Sequence, residues 1–137
     1  MKFYNIYNED CFRGMKRTPY GNIDGIICNF LYGVLHSNKL PKFNNKGQMV
    51  FNCIDYPRDT GMPRIHPTQK SVPLLERLIE IFTDKGDVVI DPTAGSGSSL
   101  LAAANLSRRS FGFEIDKGFF KKANEIMLKN IQPNLFV

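Results

Sequence analysis

Val89-Ile90-Asp91-Pro92-Thr93-Ala94-Gly95-Ser96-Gly97-Ser98-Ser99 runs from an apolar strand into a Gly/Ser turn and then into a helical pattern. Glycine lets the backbone approach a ligand closely, and a helix start offers N–H groups with no partner inside the helix. Upstream, Asp87 to Asp91 reads as a short apolar strand. Before it, Val72 to Phe82 places Leu74, Leu75, Leu78, Ile79 and Phe82 on one helical face, with Lys85-Gly86 as the stop. Downstream, Ser98 to Leu106 reads as a helix and Ser110 to Ile115 as the next strand. Lys117 to Lys129 then forms a helix burying Phe119, Phe120, Ala123, Ile126 and Met127. Helix–strand–helix–strand–helix at this spacing predicts an α/β protein with parallel strands and crossover helices.

Glu114 falls at the end of the second of these strands. Adjacent strand ends of a parallel sheet bring Asp91, the glycine loop and Glu114 around one crevice. An acidic side chain there can accept both hydroxyls of a ribose. A nicotinamide-type G-x-G-x-x-G lacks its third glycine, because Ser98-Ser99-Leu100 follows Gly97, and the G-K-[ST] of a P-loop is absent. A purely structural glycine turn in a βαβ unit is the remaining competitor.

The string Asp91-Pro92-Thr93-Ala94-Gly95-Ser96-Gly97-Ser98-Ser99 resembles the D-P-[FT]-x-G-[ST]-G-[ST]-[ST] signature of S-adenosylmethionine-dependent DNA methyltransferases that methylate exocyclic amines. Upstream, Arg64-Ile65-His66-Pro67-Thr68-Gln69-Lys70-Ser71 resembles the H-P-T-Q-K-[PS] motif of that family, and Phe111 to Asp116 is similar to its ribose-binding strand. Together these motifs cover about half the chain. The resemblance implies a Rossmann-like methyltransferase sandwich of three layers, with a mostly parallel sheet. It also implies S-adenosylmethionine as cofactor. Lys70, Ser71, Asp91, Thr93, Gly95 and Gly97 would surround its methionine end, and Glu114 its ribose. Asn8 to Cys11 is similar to the segment that touches the adenine, with Asp10 accepting from the amino group. His66 belongs to the scaffold of its motif, and no metal ligand is implied.

An exocyclic amine is a poor nucleophile because its lone pair is delocalised into the ring. An enzyme of this family accepts hydrogen bonds from both N–H groups and stacks the flipped base on an aromatic ring. The residues for this work are [DN]-P-P-[YF], or D-L-P-Y in phage-type adenine methylases. Here Asn29-Phe30-Leu31-Tyr32 stands in that place. Asn29 keeps an acceptor, the backbone carbonyl of Phe30 supplies the second, and Tyr32 keeps the ring. Both prolines are absent, so the stiffness that directs the Phe30 carbonyl is lost, and reduced or absent catalysis is expected.

Phe3 to Tyr7 and Ile23 to Cys28 read as strands, and 11–17 as a helical turn. His36 to Gly47 reads as an exposed loop, Met49 to Ile54 as an additional strand and Asp55 to Arg64 as a second loop. In the resembling family several strands and a DNA-reading segment separate the base-handling motif from H-P-T-Q-K. Residues 34–65 are too few to hold them. The expectation is therefore one truncated methyltransferase domain over 1–137, in three parts. These are a base-handling segment (1–34), a loop-rich connection (35–65) and a cofactor-binding half (66–137). Part of the usual sheet is missing, which should expose the flank of the strand before Asn29 and favour a homodimer through that edge.

The chain has 137 residues, 42% of them hydrophobic, and a formal charge of +5. That size suits one domain, and eleven Phe argue against intrinsic disorder. The basic excess suits a polyanion such as DNA. Lys39, Lys42 and Lys46 offer nonspecific phosphate contacts or form an ordinary solvated loop. No run approaches the roughly 20 apolar residues of a membrane span, and the first residues lack a signal pattern, so a cytoplasmic protein with no membrane partner is expected. Cys11, Cys28 and Cys53 are odd in number and widely spaced, which predicts three buried thiols. Site-specific DNA methylation at adenine N6 is the activity the resemblance implies, with cytosine N4 also open. A non-catalytic module binding S-adenosylmethionine or nucleic acid is the alternative.

Overall fold

A computed structural model describes residues 4–16, 25–27, 32–33, 42–49, 55–57 and 59–131, with the side chains of 25–27 and 32–33 excepted. Its elements are β1 (Tyr4–Tyr7), α1 (Cys11–Met15), β2 (Gly25–Ile27), β3 (Tyr32–Gly33), α2 (Val72–Phe82), β4 (Val88–Asp91), α3 (Ser98–Asn105), β5 (Arg109–Phe113) and α4 (Lys117–Lys122). A π-helical segment, Ala123–Met127, continues α4. The sheet has the order β1-β5-β4-β2-β3. β1, β5, β4 and β2 run parallel, and β3 pairs antiparallel with β2.

The central strand β4 carries an apolar run, Val88 to Ile90, because both of its faces are covered. All four residues of β4 are buried. Along β5 the side chains alternate. A Cβ on Gly112 would meet Leu100 of α3, while the Phe113 ring lies so close to Gly14 of α1 that a Cβ there would sit 2.1 Å from it. Helices α1 and α3 therefore cover opposite faces, giving the Rossmann-like three-layer α/β order expected from the sequence. α3 is buried from Ser98 to Ala104, and its small side chains let it lie between the sheet and α2. Val72, Leu75 and Ile79 of α2 join Leu100, Leu101, Val89, Met127 and Leu128 in one core. Fully burying a Leu or Ile side chain contributes about 1.5–3 kcal/mol.

Several expectations need correction. α2 spans Val72–Phe82 as expected, but its stop is not Lys85-Gly86. Extended Thr83 caps it, and its hydroxyl donates to the Ile79 carbonyl at 2.6 Å. Ile126 is exposed and Leu128 is buried in its place. The π segment widens the turn, so the buried face slips by one position after Ala123. Cys11 is free and half-buried rather than buried, because it opens the short surface helix α1. Cys28 and Cys53 lie outside the described residues, and of the expected strand from Met49 to Ile54 only Met49 is described, outside any strand. The flank of β2 is covered at Ile26 and Ile27, which pair with Gly33 and Tyr32 of β3, so among the described residues β3 is the outer strand on this side.

Lys42 is not a solvated phosphate-seeking side chain. Its ammonium pairs with Asp87 at 2.5 Å and with Asp84 at 3.2 Å. Burial pulls the Lys42 pKa down, but the bonds to Asp87 and Asp84 outweigh it and hold it above the usual lysine value. The same bond from Lys42 holds the Asp84 carboxyl below its ordinary range. Asn44 donates to the Thr83 carbonyl and to Asp84, both at 2.9 Å, so residues 42–45 are fastened beneath α2. Lys46 is exposed.

Candidate functional site

Because β1, β4 and β5 are parallel, the residues after Tyr7, Asp91 and Phe113 meet at one end of the sheet. Asp91, the last residue of β4, is 7% exposed. Its Oδ1 accepts from the Thr93 N–H at 2.9 Å, and its Oδ2 accepts from the Ser99 hydroxyl. Burial pushes the Asp91 carboxyl up to about 6; the bonds from Ser99 and Thr93 oppose this, and the negative charge of Glu114 adds to it. This carboxyl ties the end of β4 to the first turn of α3 across the glycine loop.

The loop folds back tightly. Ala94 N–H donates to the Phe113 carbonyl at 2.9 Å, and Gly97 N–H to the Ala94 carbonyl at 2.7 Å. Gly95 has φ +51°, in the left-handed region that disfavours side chains, and a Cβ there would stand 3.4 Å from the His66 ring. Gly95 N–H donates to Glu114 Oε2 at 2.8 Å, and Asp116 N–H to Glu114 Oε1 at 2.8 Å. Asn8 closes the third side. Its amide donates to the carbonyls of Glu114 at 2.8 Å and Ile115 at 3.1 Å. Asp10 is exposed and caps α1, accepting from Arg13 N–H at 3.2 Å.

The segment before α2 packs over the glycine turn through His66. His66 Nδ1 accepts from the Thr68 N–H at 3.2 Å, and the imidazole meets the Phe119 ring with centroids 4.2 Å apart. Gln69 holds the segment together, accepting from Ile65 N–H at 3.0 Å and donating to the Pro63 carbonyl at 3.1 Å. Lys70 is exposed. Ser71 precedes α2, yet Asp59 caps that helix, accepting from Val72 N–H at 3.1 Å. The Ser71 hydroxyl is shielded from solvent and has no partner among the described residues.

Residues 24–125 match the DNA methylase family of N6/N4 methyltransferases. The chain belongs to that family. It is 41% identical over 93 residues to the type II methyltransferase M.HindIII of Haemophilus influenzae, a match covering 66% of this chain and 30% of that protein. It is 43% identical over 60 residues to M2.DpnII of Streptococcus pneumoniae, covering 44% of this chain and 22% of that one. Among solved structures it is similar to the M1.HpyAVI–SAM complex, with 35% identity and a TM-score of 0.54 over 63% of this chain and 43% of that one. The chain thus spans less than a third of the length of these curated relatives.

Of the methylase residues expected from the sequence, Asp91, Thr93, Gly95, Gly97 and Glu114 come together at the strand ends. Asp10 lies at the neighbouring end of β1, while Lys70 and Ser71 lie on the segment fixed by His66. Asn29 and Phe30 are outside the described residues. Tyr32 is described only as backbone, in β3. Asn8, Ser99 and Asp116 stand inside stretches that the sequence singles out, but none is given a role of its own there. Ser99 stands inside the quoted glycine motif, but nothing in the string marks its hydroxyl as the partner of Asp91. The role of the Asp116 backbone carries no side-chain signature.

Proposed function

We propose that this chain acts as a DNA amino-methyltransferase, carrying a methyl group from S-adenosylmethionine to the exocyclic N6 of adenine. The single observation that carries this reading is the Glu114–Gly95 clasp at 2.8 Å beside the buried Asp91, in a chain of the N6/N4 methylase family. When bound, S-adenosylmethionine supplies an electrophilic methyl group on a sulfonium.

The residues present suit such a ligand. A carboxylate offers about four acceptor sites, and the two N–H groups on Glu114 leave room for a pair of ribose hydroxyls. Asp91, Glu114 and Asp116 make the strand ends acidic, which complements a cationic sulfonium nucleoside. The shielded, unpartnered Ser71 hydroxyl is a polar group that a ligand would satisfy. On the base side, the family resemblance gives Asn29 and the Phe30 carbonyl the task of accepting the amine's hydrogens, and Tyr32 that of stacking the ring. Holding the amine against the methyl group in near-attack geometry supplies much of the acceleration.

A second reading is favoured by Asn29-Phe30-Leu31-Tyr32, which lacks both prolines of the family motif. On that reading the chain binds the cofactor or nucleic acid without turning over. Incubation with methyl-labelled S-adenosylmethionine and unmethylated DNA, followed by nucleoside analysis, separates the two. N6-methyladenine supports the first. Label confined to N4-methylcytosine corrects the target base, and no transfer despite cofactor binding supports the second.

A further inference from the structure

We infer that Phe119, which lies outside the motif stretches quoted above, is a positioning residue that holds the His66 segment over the glycine turn. This rests on the cofactor-binding reading above. Gly95 N–H bonds to Glu114, and Glu114 accepts from Asp116 N–H. Asp116 Oδ1 in turn accepts from Phe119 N–H at 2.8 Å. The Phe119 ring meets His66 at 4.2 Å, and His66 lies against the position a Gly95 Cβ would take. These contacts form a closed circuit of five residues through the glycine loop, the end of β5, the start of α4 and the segment before α2.

Only one link of that circuit joins α4 to the His66 segment, and it is the ring contact. Lys122 Nζ stands 5.7 Å from the Phe119 ring, an arrangement in which cation and aromatic face attract. His66 Nδ1 accepts from the Thr68 N–H, which steadies the imidazole on its own segment. Lys70 and Ser71 follow His66 within the same segment. Loosening the Phe119 contact therefore shifts the residues assigned to the methionine end without touching them.

The test is a double-mutant cycle on the full chain, reading S-adenosylmethionine affinity by calorimetry and the His66 imidazole protons by NMR. Phe119→Leu and His66→Ala should each weaken binding by about threefold to tenfold, the range of an aromatic pair contact. The double variant should bind within about twofold of His66→Ala, because Phe119 acts through His66. Phe119→Tyr should bind within about twofold of the parent, keeping the ring. In Phe119→Leu the His66 protons should lose their ring shielding. Parental binding by Phe119→Leu, or a double variant that loses the product of both effects, overturns the inference. Should Phe119→Leu not fold, weak binding by Phe119→Tyr overturns it instead. If the parent does not bind S-adenosylmethionine, the functional reading fails and the contact is judged on the NMR alone, where unshifted His66 protons in Phe119→Leu overturn it.

Discussion

The two ends of the sheet treat their carboxylates in opposite ways. Beneath α2, Asp84 and Asp87 share the Lys42 ammonium, and the buried Arg108 guanidinium donates to the Thr83 hydroxyl, the Thr83 carbonyl and the Leu106 carbonyl at 2.6–3.0 Å. At the other end, Asp91 and Glu114 accept only from backbone N–H groups and a serine hydroxyl. Neither pairs with a cation among the described residues. An end that is electrically complete holds the fold together. An end that gathers acids without counter-charges costs stability and is poised for a cationic ligand.

This contrast can be broken in either direction, beginning where the effect is largest. Arg108→Ala takes the charged donor from the buried Thr83 hydroxyl and carbonyl and from the half-buried Leu106 carbonyl, and should cost about 3 kcal/mol or more in denaturant unfolding. The molecules that remain folded should bind S-adenosylmethionine as the parent does. A variant that kept its stability but lost the ligand would invert the assignment of the two ends. Glu114→Gln should do the reverse, weakening the cofactor more than about tenfold while changing stability by less than about 1 kcal/mol. Calorimetry and thermal melts on the same preparation read both quantities.

The pH dependence sharpens the comparison further. The folded Asp91 carboxyl titrates near 6, above its ordinary value of 3.8. The folded state therefore holds this proton more tightly than the unfolded chain. Its stabilising contribution is full below pH about 4 and is lost as pH rises through about 6. The cost at neutral pH is on the order of 3 kcal/mol. Melts of Asp91→Asn against the parent from pH 4.5 to 7.5 should show a gap in favour of the variant that grows with pH; a constant gap would show that Asp91 stays ionised throughout. The smallest effect is expected at Lys42. Lys42→Met should cost about 0.5–1 kcal/mol, shrinking in 0.5 M salt, because the pair is only partly shielded. A loss that ignores salt would mean packing, not charge, fastens this segment.

The site end was more legible in the sequence than the opposite end. A buried apolar strand, two glycines and a carboxylate at the next strand end are local signals, and the topology that unites them follows from parallel pairing. The burial of Asp91 against Ser99 was not legible, since nothing in the string says which way the hydroxyl turns. Helical periodicity placed Ile126 inside because it assumes 3.6 residues per turn, and the π segment breaks that period at Ala123. β3 is two residues long and has no pattern to read. Asn44 and Lys42 lie in a polar stretch, and only the fold reveals that α2 ends above them.

Calorimetric titration of S-adenosylmethionine into the parent at pH 5 and pH 7.5, beside Glu114→Gln, reaches the central claim most directly. Saturable one-to-one binding is predicted, tighter at pH 7.5 where Asp91 is ionised, and weakened more than about tenfold by the substitution. Binding that ignores both the pH and Glu114, or no binding by the folded parent, would contradict the assignment of the acidic strand ends as the cofactor site.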